Sequence, residues 1–436
     1  MFYASLALAL FIRYGTPLAD ILPGDGGNFQ SSLYVHLIPF LPVLFIWVII
    51  FYLFDLYSPK TFRNRVIQFR ALAAASVVSF LTSIITFYLF QSFFLLTPKT
   101  NLILFSLIFS VLDYLFRIGI GQFLKTKEWQ TKTFFIGNSS RISETFNYLK
   151  ENPQVGFAIS HIKNTINSGE EEYLLKELKK EKIDLVVIDE EILELRKDVF
   201  LGILYELADQ SISISNSTDF FEVIFSKVPL RELKDDWFVE HMGTSRRFYE
   251  AGKEVSDFLI VLTLSILLLP LSLLIAMAIK ISSKGPAIYA QKRIGKNNKS
   301  FTLYKFRSMK NNAQGTLWTE SNDKRLTKLG KFLRFTHLDE IPQLINILKG
   351  DISFLGPRPE RVELAEKYSL LPYYRMRHIV KPGLTGWAQI NFRPSSSLEE
   401  AYEKLCYDVF YIKNRSFWLD FLIVLKTIKY FFASHQ

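Results

Sequence analysis

The residues best placed to do chemistry are two adjacent acids, Asp339 and Glu340. They lie in the stretch KFLRFTHLDEIPQLINILKGDISFLGPRPE, from Lys331 to Glu360. Pro342 is tolerated in the first turn of a helix but not deep inside one, so the pair is expected near a helix N-terminus. The apolar residues Leu344, Ile345, Ile347 and Leu348 carry that helix to Gly350, a fitting residue just past its end. Unpaired backbone N–H groups and the helix dipole favour negative charge at such a start. Lys331 and Arg334 precede the acids, and Arg358 follows within Pro357-Arg358-Pro359-Glu360. A lone Asp-Glu pair would mean only a well-started helix. Two acids among several fixed cations suit a Mg²⁺-dependent reaction on a phosphate ester.

Further candidates flank this stretch. Lys305 and Arg307 alternate with Tyr304 and Phe306, so a strand there would present both cations on one face. By itself that pattern also describes a solvated edge strand. Residues 378–391, HIVKPGLTGWAQIN, form a loop punctuated by Gly and Pro, of the kind that lines ligand sites. Asp408 lies a few residues before Tyr411. Residues 416–436 are apolar and aromatic with Lys426 and Lys429, and read as a helix lying on a membrane surface, with a core helix as the alternative.

The elements that must position these residues include membrane segments. The chain has 436 residues, enough for two or three domains, with 49% hydrophobic residues and 40 Phe. Residues 33–54, 71–90 and 102–124 are long enough to cross a bilayer. Residues 1–11 are apolar but short, and read as the tail of a first transmembrane helix; no signal-peptide cleavage pattern is evident. Asp113 and Arg117, spaced i,i+4, are expected to pair within the bundle. Lys60, Arg63, Arg65 and Arg70 in one connection, and Lys125, Lys127 and Lys132 after the last span, place those segments in the cytoplasm. The formal charge of +10 fits a membrane surface or phosphorylated substrates, and no nucleic-acid signature accompanies it. The single cysteine, Cys406, excludes an internal disulfide and any multi-cysteine metal site.

From Thr131 the pattern changes to alternating strands and helices: KTFFIG, a helix over about 141–151, IDLVVID (183–189), a helix over about 190–209, and SISIS (211–215). That alternation predicts a small Rossmann-like parallel sheet. The first strand ends in Gly137-Asn138-Ser139-Ser140-Arg141-Ile142, which lacks the second and third glycines of a dinucleotide fingerprint. Regulation, docking or oligomerisation fits this segment better than NAD binding. Residues 258–279 form another run long enough to cross, with Pro270 in its middle. Arg246, Arg247 and Lys253 precede it, and Lys280 and Lys284 follow. Pro270 should break or kink the helix, and basic flanks on both sides favour both ends in the cytoplasm. A re-entrant helix over about 255–284 satisfies both.

These residues together resemble the bacterial sugar transferase family, the monotopic polyprenyl-phosphate phosphoglycosyltransferases. The motifs that carry the resemblance are Gly285-Pro286, Gln291-Lys292-Arg293-Ile294-Gly295, Lys305-Phe306-Arg307-Ser308-Met309, Leu338-Asp339-Glu340-Ile341-Pro342-Gln343-Leu344, Leu348-Lys349-Gly350-Asp351, Gly356-Pro357-Arg358-Pro359-Glu360 and Lys381-Pro382-Gly383-Leu384-Thr385-Gly386. The sequence departs from the family pattern at His337, where Ser often precedes Leu-Asp-Glu; Thr336 is expected to cap in its place. The resemblance is to the large branch of the family. It implies a membrane protein of mixed α and α/β class: a transmembrane bundle (1–125), a Rossmann-like domain (126–240) and a catalytic domain (241–436) with the re-entrant helix.

The resemblance also implies a reaction. A sugar-1-phosphate would move from a UDP-sugar to undecaprenyl phosphate, releasing UMP, at the cytoplasmic face of the bacterial inner membrane, to start exopolysaccharide, capsule or O-antigen synthesis. Asp339 would be the nucleophile of a ping-pong scheme, with Glu340 as second acid and both as Mg²⁺ ligands. Lys305, Arg307, Arg334, Pro357, Arg358, Pro359, Glu360 and Asp408 would bind substrate. Helix start, arginines and metal would keep Asp339 ionised. Implied partners are the lipid bilayer and downstream glycosyltransferases, and self-association as a homodimer is hinted at. Two alternatives remain open. A membrane-anchored sugar-nucleotide dehydratase or epimerase would need the intact glycine fingerprint. A non-catalytic scaffold for nucleotide sugar or lipid carrier would not need the dyad.

Overall fold

The structure is a computed structural model; it describes residues 1–14, 33, 37–38, 40–57, 65–89, 99–123, 130–165, 171–195, 212–233, 235–242, 246–309, 325–392, 395 and 397–433. The chain forms two compact units, Met1–Ser217 and Thr218–Gln436.

The first unit begins with apolar helices Phe2–Tyr14, Phe40–Leu53, Arg65–Leu89 and Lys99–Phe123. Interlocking rings hold them together: Phe2 packs on Phe105 at 4.7 Å, and Trp47 on Phe109 at 5.1 Å between centroids. Gln68–Leu89 and Asn101–Ile120, 22 and 20 residues long, are long and apolar enough to cross a membrane. Phe40–Leu53, inside the expected 33–54 span, is 14 residues, or about 21 Å, against about 30 Å of hydrocarbon. Arg117 pairs with Asp113 at 2.5 Å, as expected, and also donates to the Leu56 carbonyl at 2.6 Å. Lys60, Arg63, Lys125 and Lys127, on which orientation was argued, lie outside the described residues.

Four parallel strands follow: β1 (Thr131–Ile136), β2 (Phe157–Lys163), β3 (Leu185–Ile188) and β4 (Ser213–Asn216), in the order β2-β1-β3-β4. The expected helix over 141–151 is Ser140–Glu151; of 190–209, Glu190–Leu195 is helical and the rest lies outside the described residues. The strand order reverses between β1 and β3, where sheets of this kind bind ligands. Asp189 occupies that point. Its carboxylate accepts the Ser139 N–H (3.1 Å) and the Ser217 hydroxyl (3.0 Å) and pairs with Arg141 (3.2 Å). The Asp189 carboxylate thus takes up donors at the start of the Ser140–Glu151 helix.

The second unit begins at Thr218. Val228, Leu230 and Phe238 join a core with Leu364, Tyr402, Leu405 and Val409, and the Val228 N–H bonds the Cys406 carbonyl at 3.1 Å. Residues 218–240 pack here because their apolar side chains complete this core. A 36-residue helix, Arg247–Ser282, follows and runs continuously past Pro270. One proline removes a single i→i−4 hydrogen bond, and the remaining bonds carry the helix through.

Two strands, β5 (Ile288–Ile294) and β6 (Ser300–Phe306), form an antiparallel hairpin, and β7 (Ser353–Leu355) pairs in parallel with β8 (Gly383–Thr385). Val261, in the first half of the long helix, packs with Leu303, Leu344, Ile347 and Ile352. Ile275 and Ile279, near its end, pack with Phe306 and Leu333. The last helix, Phe417–Ala433, buries Leu419 and Ile423 against Trp387 and Tyr411 while Phe417, Trp418 and Tyr430 stay exposed. It is thus a core helix on one face and apolar to the outside on the other.

Candidate active site

The dyad does not open a helix. Leu338–Glu340 is a 3₁₀ turn, and the helix Gln343–Leu348 begins after Pro342. His337 enters the turn at φ 54, a left-handed conformation that costs a non-glycine residue about 1 kcal/mol or more. Thr336 does not cap the turn; its hydroxyl returns to the Phe332 and Leu333 carbonyls and closes the preceding helix, Lys328–Phe335. Gly350 behaves as expected. It takes φ +76, its N–H reaches the Ile347 carbonyl, and the Asp351 N–H reaches Asn346, the paired bonds of a Schellman ending.

The two acids differ in their partners. Glu340 Oε1 lies 2.5 Å from Lys305 Nζ and 3.3 Å from Arg358 Nη2. Burial alone would raise the Glu340 carboxyl, but Arg358 and Lys305 outweigh it and hold it at about 2. Asp339 is buried, 7% exposed, yet no hydrogen bond or ion pair reaches its carboxylate among the described residues. Its pKa is raised, chiefly by burial, although Lys305 and Arg334 pull it down. The expectation that helix start and arginines keep it easily ionised is thus reversed in the protein alone. There is no helix start at Asp339, and Lys305 and Arg358 pair with Glu340 instead.

Lys305, at the end of β6, and Arg358, in the loop after β7, converge on the dyad. Arg334 comes from the helix before it, tied to the Ser308 hydroxyl at 2.9 Å. Arg307 does not converge. It lies past the end of β6, and its guanidinium binds the carbonyls of Ser283 (2.8 Å) and Lys284 (3.1 Å), fastening the end of the long helix. Glu360 and Asp408 turn away into a buried network: Glu360 pairs with Lys404 at 2.7 Å, and Asp408 with Arg377 at 3.0 Å. Pro357 and Pro359 contribute carbonyls held by Gly383 and Arg293. Their parallel strands sit very close: a Cβ on Gly383 would lie 2.1 Å from the Gly356 nitrogen, so only glycine fits.

Sequence reasoning left out Arg293, Arg377 and Lys404. Arg293 stands inside the quoted Gln291–Gly295 motif, and Arg377 lies four residues before Lys381, so both were within reach of the motif reading. Lys404 gave no signal beyond being a basic residue on a helix. As for a metal, the donors available are hard carboxylate oxygens. No group of three or more His, Cys, Asp or Glu able to hold an ion gathers among the described residues. That set suits Mg²⁺, which commonly takes one or two carboxylates and fills its sphere with substrate phosphate and water.

Residues 248–434 match the bacterial sugar transferase family. Over 338 residues, 69% of this chain and 68% of the relative, the sequence is 31% identical to an undecaprenyl-phosphate galactose phosphotransferase of Salmonella typhimurium. It is 29% identical over 424 residues, 89% of this chain and 91% of the relative, to the galactosyl transferase CpsE of Streptococcus agalactiae. Identity rises to 44% over 163 residues, 37% of this chain, with a UDP-N-acetylgalactosamine-undecaprenyl-phosphate N-acetylgalactosaminephosphotransferase of Aeromonas hydrophila. The chain spans 38% of that relative's length and 39% to 50% of two glucose-1-phosphate transferases it also matches. The chain belongs to the bacterial sugar transferase family.

Proposed function

We propose that this protein transfers a sugar-1-phosphate from a UDP-sugar to undecaprenyl phosphate and so initiates a bacterial exopolysaccharide or capsule. The observation that carries the reading is the asymmetry of the dyad. Glu340 is clamped by Lys305 and Arg358, while Asp339 beside it carries no partner among the described residues and is available to react. Three of the relatives are named as undecaprenyl-phosphate sugar phosphotransferases, for N-acetylgalactosamine, glucose and galactose, so they agree in class and differ in sugar.

In the first half-reaction the Asp339 carboxylate attacks the sugar-bearing phosphorus. An aspartyl–phosphate bond forms, the bond to the α-phosphate breaks, and UMP departs. Lys305 and Arg334 favour the ionised Asp339, which burial opposes, and with Arg358 they offer the diphosphate a cationic seat beside it. In the second half-reaction a phosphate oxygen of the lipid attacks the same phosphorus, and Asp339 is released as carboxylate. Asp339 and Glu340 would hold Mg²⁺, which when bound offsets charge on the diphosphate.

The long helix is read as re-entrant, with the catalytic unit on the cytoplasmic face. Residues from both halves, Val261 on one side of Pro270 and Ile275 and Ile279 on the other, pack against the same unit. Cations stand at both ends. Contacts from both halves of the helix to one unit support that reading.

The test is UMP release by the full chain in detergent with undecaprenyl phosphate and Mg²⁺, across UDP-galactose, UDP-glucose and their N-acetylated forms. Release with at least one sugar, abolished by chelation and by Asp339→Ala, is expected. Sugar binding without turnover would instead favour a scaffold.

A further inference from the structure

The loop Pro357–Glu360 is largely buried, with only Arg358 partly open to solvent, and it is anchored along its whole length. Four consecutive carbonyls each meet a fixed donor. The Gly383 N–H reaches Pro357 O (2.9 Å), and Arg377 Nη2 reaches Arg358 O (2.9 Å). Arg293 Nη1 reaches Pro359 O (3.0 Å), and the Ile294 N–H reaches Glu360 O (3.1 Å). Buried backbone carbonyls require such partners. Here two of the four donors are guanidinium groups. Arg377 is the most enclosed of them, 5% exposed. Its Nη2 also lies 3.0 Å from Asp408, and its Nη1 lies 3.2 Å from the Tyr374 hydroxyl and 3.5 Å from Glu360. A buried guanidinium is tolerated only with such compensation, and its planar fork lets one group serve several acceptors.

We propose that Arg377 is a positioning residue for the reaction: braced by Asp408 and Glu360, it fixes the Arg358 main chain and thereby the aim of the Arg358 guanidinium at Glu340 and the incoming diphosphate. This rests on the dyad being the reaction centre. The path is short and physical. Arg377 holds the carbonyl of the residue whose side chain ends 3.3 Å from Glu340. Asp408, on the Leu398–Asn414 helix, orients Arg377 from behind and reaches the reaction only through it. A lysine at 377 keeps the charge but loses the fork, so it cannot hold the carbonyl and both acids together.

The experiment compares Arg377→Lys in the wild-type and Arg358→Ala backgrounds. UMP release is normalised to folded protein, and hydrogen exchange is read on peptides covering residues 356–361. A displacement near 1 Å at a catalytic group costs about 10²-fold. Arg377→Lys should therefore lower kcat about 10²-fold in the wild-type background, with KM changed less. In the Arg358→Ala background it should lower kcat less than about 3-fold, because little remains to be aimed. Equal losses in both backgrounds, or a loss that vanishes on normalisation, would overturn the proposal as a purely structural effect. If Arg377→Lys shows no folding transition, Asp408→Asn takes its place with the same expectations. If wild type releases no UMP from any sugar, the reading of function fails. The exchange data then decide the positioning claim: faster exchange at 356–361 supports it, and unchanged exchange overturns it.

Discussion

Glu340→Gln removes the charge that two cations share while changing little in size. The structure sets the magnitude. The carboxyl falls from 4.5 to about 2 in the folded protein. That drop corresponds to about 3 kcal/mol at neutral pH. Removing one partner of a buried pair gives a similar figure, about 3–5 kcal/mol. The sign follows from the lowered value. The stabilisation is fully present above 4.5 and is lost as pH falls through about 2, with about 1 kcal/mol left at pH 3. For a unit of about 200 residues each kcal/mol moves Tm by about 2–4 °C, so Glu340→Gln should melt about 6–12 °C lower at pH 7.5 and about 2–4 °C lower at pH 3. Thermal unfolding of the detergent-solubilised protein, followed by near-ultraviolet circular dichroism at both pH values, reads this directly. Equal Tm losses at the two pH values, or none at pH 7.5, would refute the account of the clamp.

Three other outcomes are expected. Lys305→Met removes a cation that lowers both acids; the acidic limb of the pH–rate profile should move upward as Asp339 becomes harder to ionise, while expression and monodispersity are retained. Gly383→Ala forces a Cβ to 2.1 Å from the Gly356 nitrogen, so β7 and β8 must part; loss of the folded C-terminal unit by limited proteolysis is expected, against full retention for Gly350→Asn, a residue that tolerates the left-handed conformation. His378, buried beside Arg377, is pushed down to about 4; because its neutral form is the folded one, stability should fall as pH drops from 6.5 toward 4, by at most about 3 kcal/mol, and His378→Gln should flatten that slope.

Much of this architecture was legible because it follows from chain-local chemistry. Twenty apolar residues in a row can do little but span or bury, and KTFFIG and IDLVVID can do little but form buried parallel strands. The dyad, Lys305, Arg334 and Arg358 were legible as residue types, and the structure brings them together. What stayed hidden depends on partners distant in sequence. Arg307 looked equivalent to Lys305, yet the strand ends between them and the long helix supplies the carbonyls that capture Arg307. Glu360 and Asp408 read as substrate ligands by motif, but Lys404 and Arg377 draw both inward. The dyad's 3₁₀ turn was hidden because Pro342 is compatible both with a first turn and with the residue before one. Asp189 in the sheet's ligand position could not be foreseen from the missing glycines alone. Their absence removes a reason to bind a dinucleotide, but it does not say which group fills the space.

The central claim is that Asp339 forms a covalent bond to the phosphosugar, and it is tested most directly without the lipid. The full chain is mixed with its UDP-sugar and Mg²⁺ in the absence of undecaprenyl phosphate, UMP is quantified, and the peptide carrying Asp339 is weighed by mass spectrometry. The account predicts a burst of about one UMP per active enzyme, a matching phosphosugar mass on that peptide, and neither in Asp339→Ala. UMP that appears only when the lipid is added, with no adduct on Asp339, would contradict it and show a direct transfer between the two substrates.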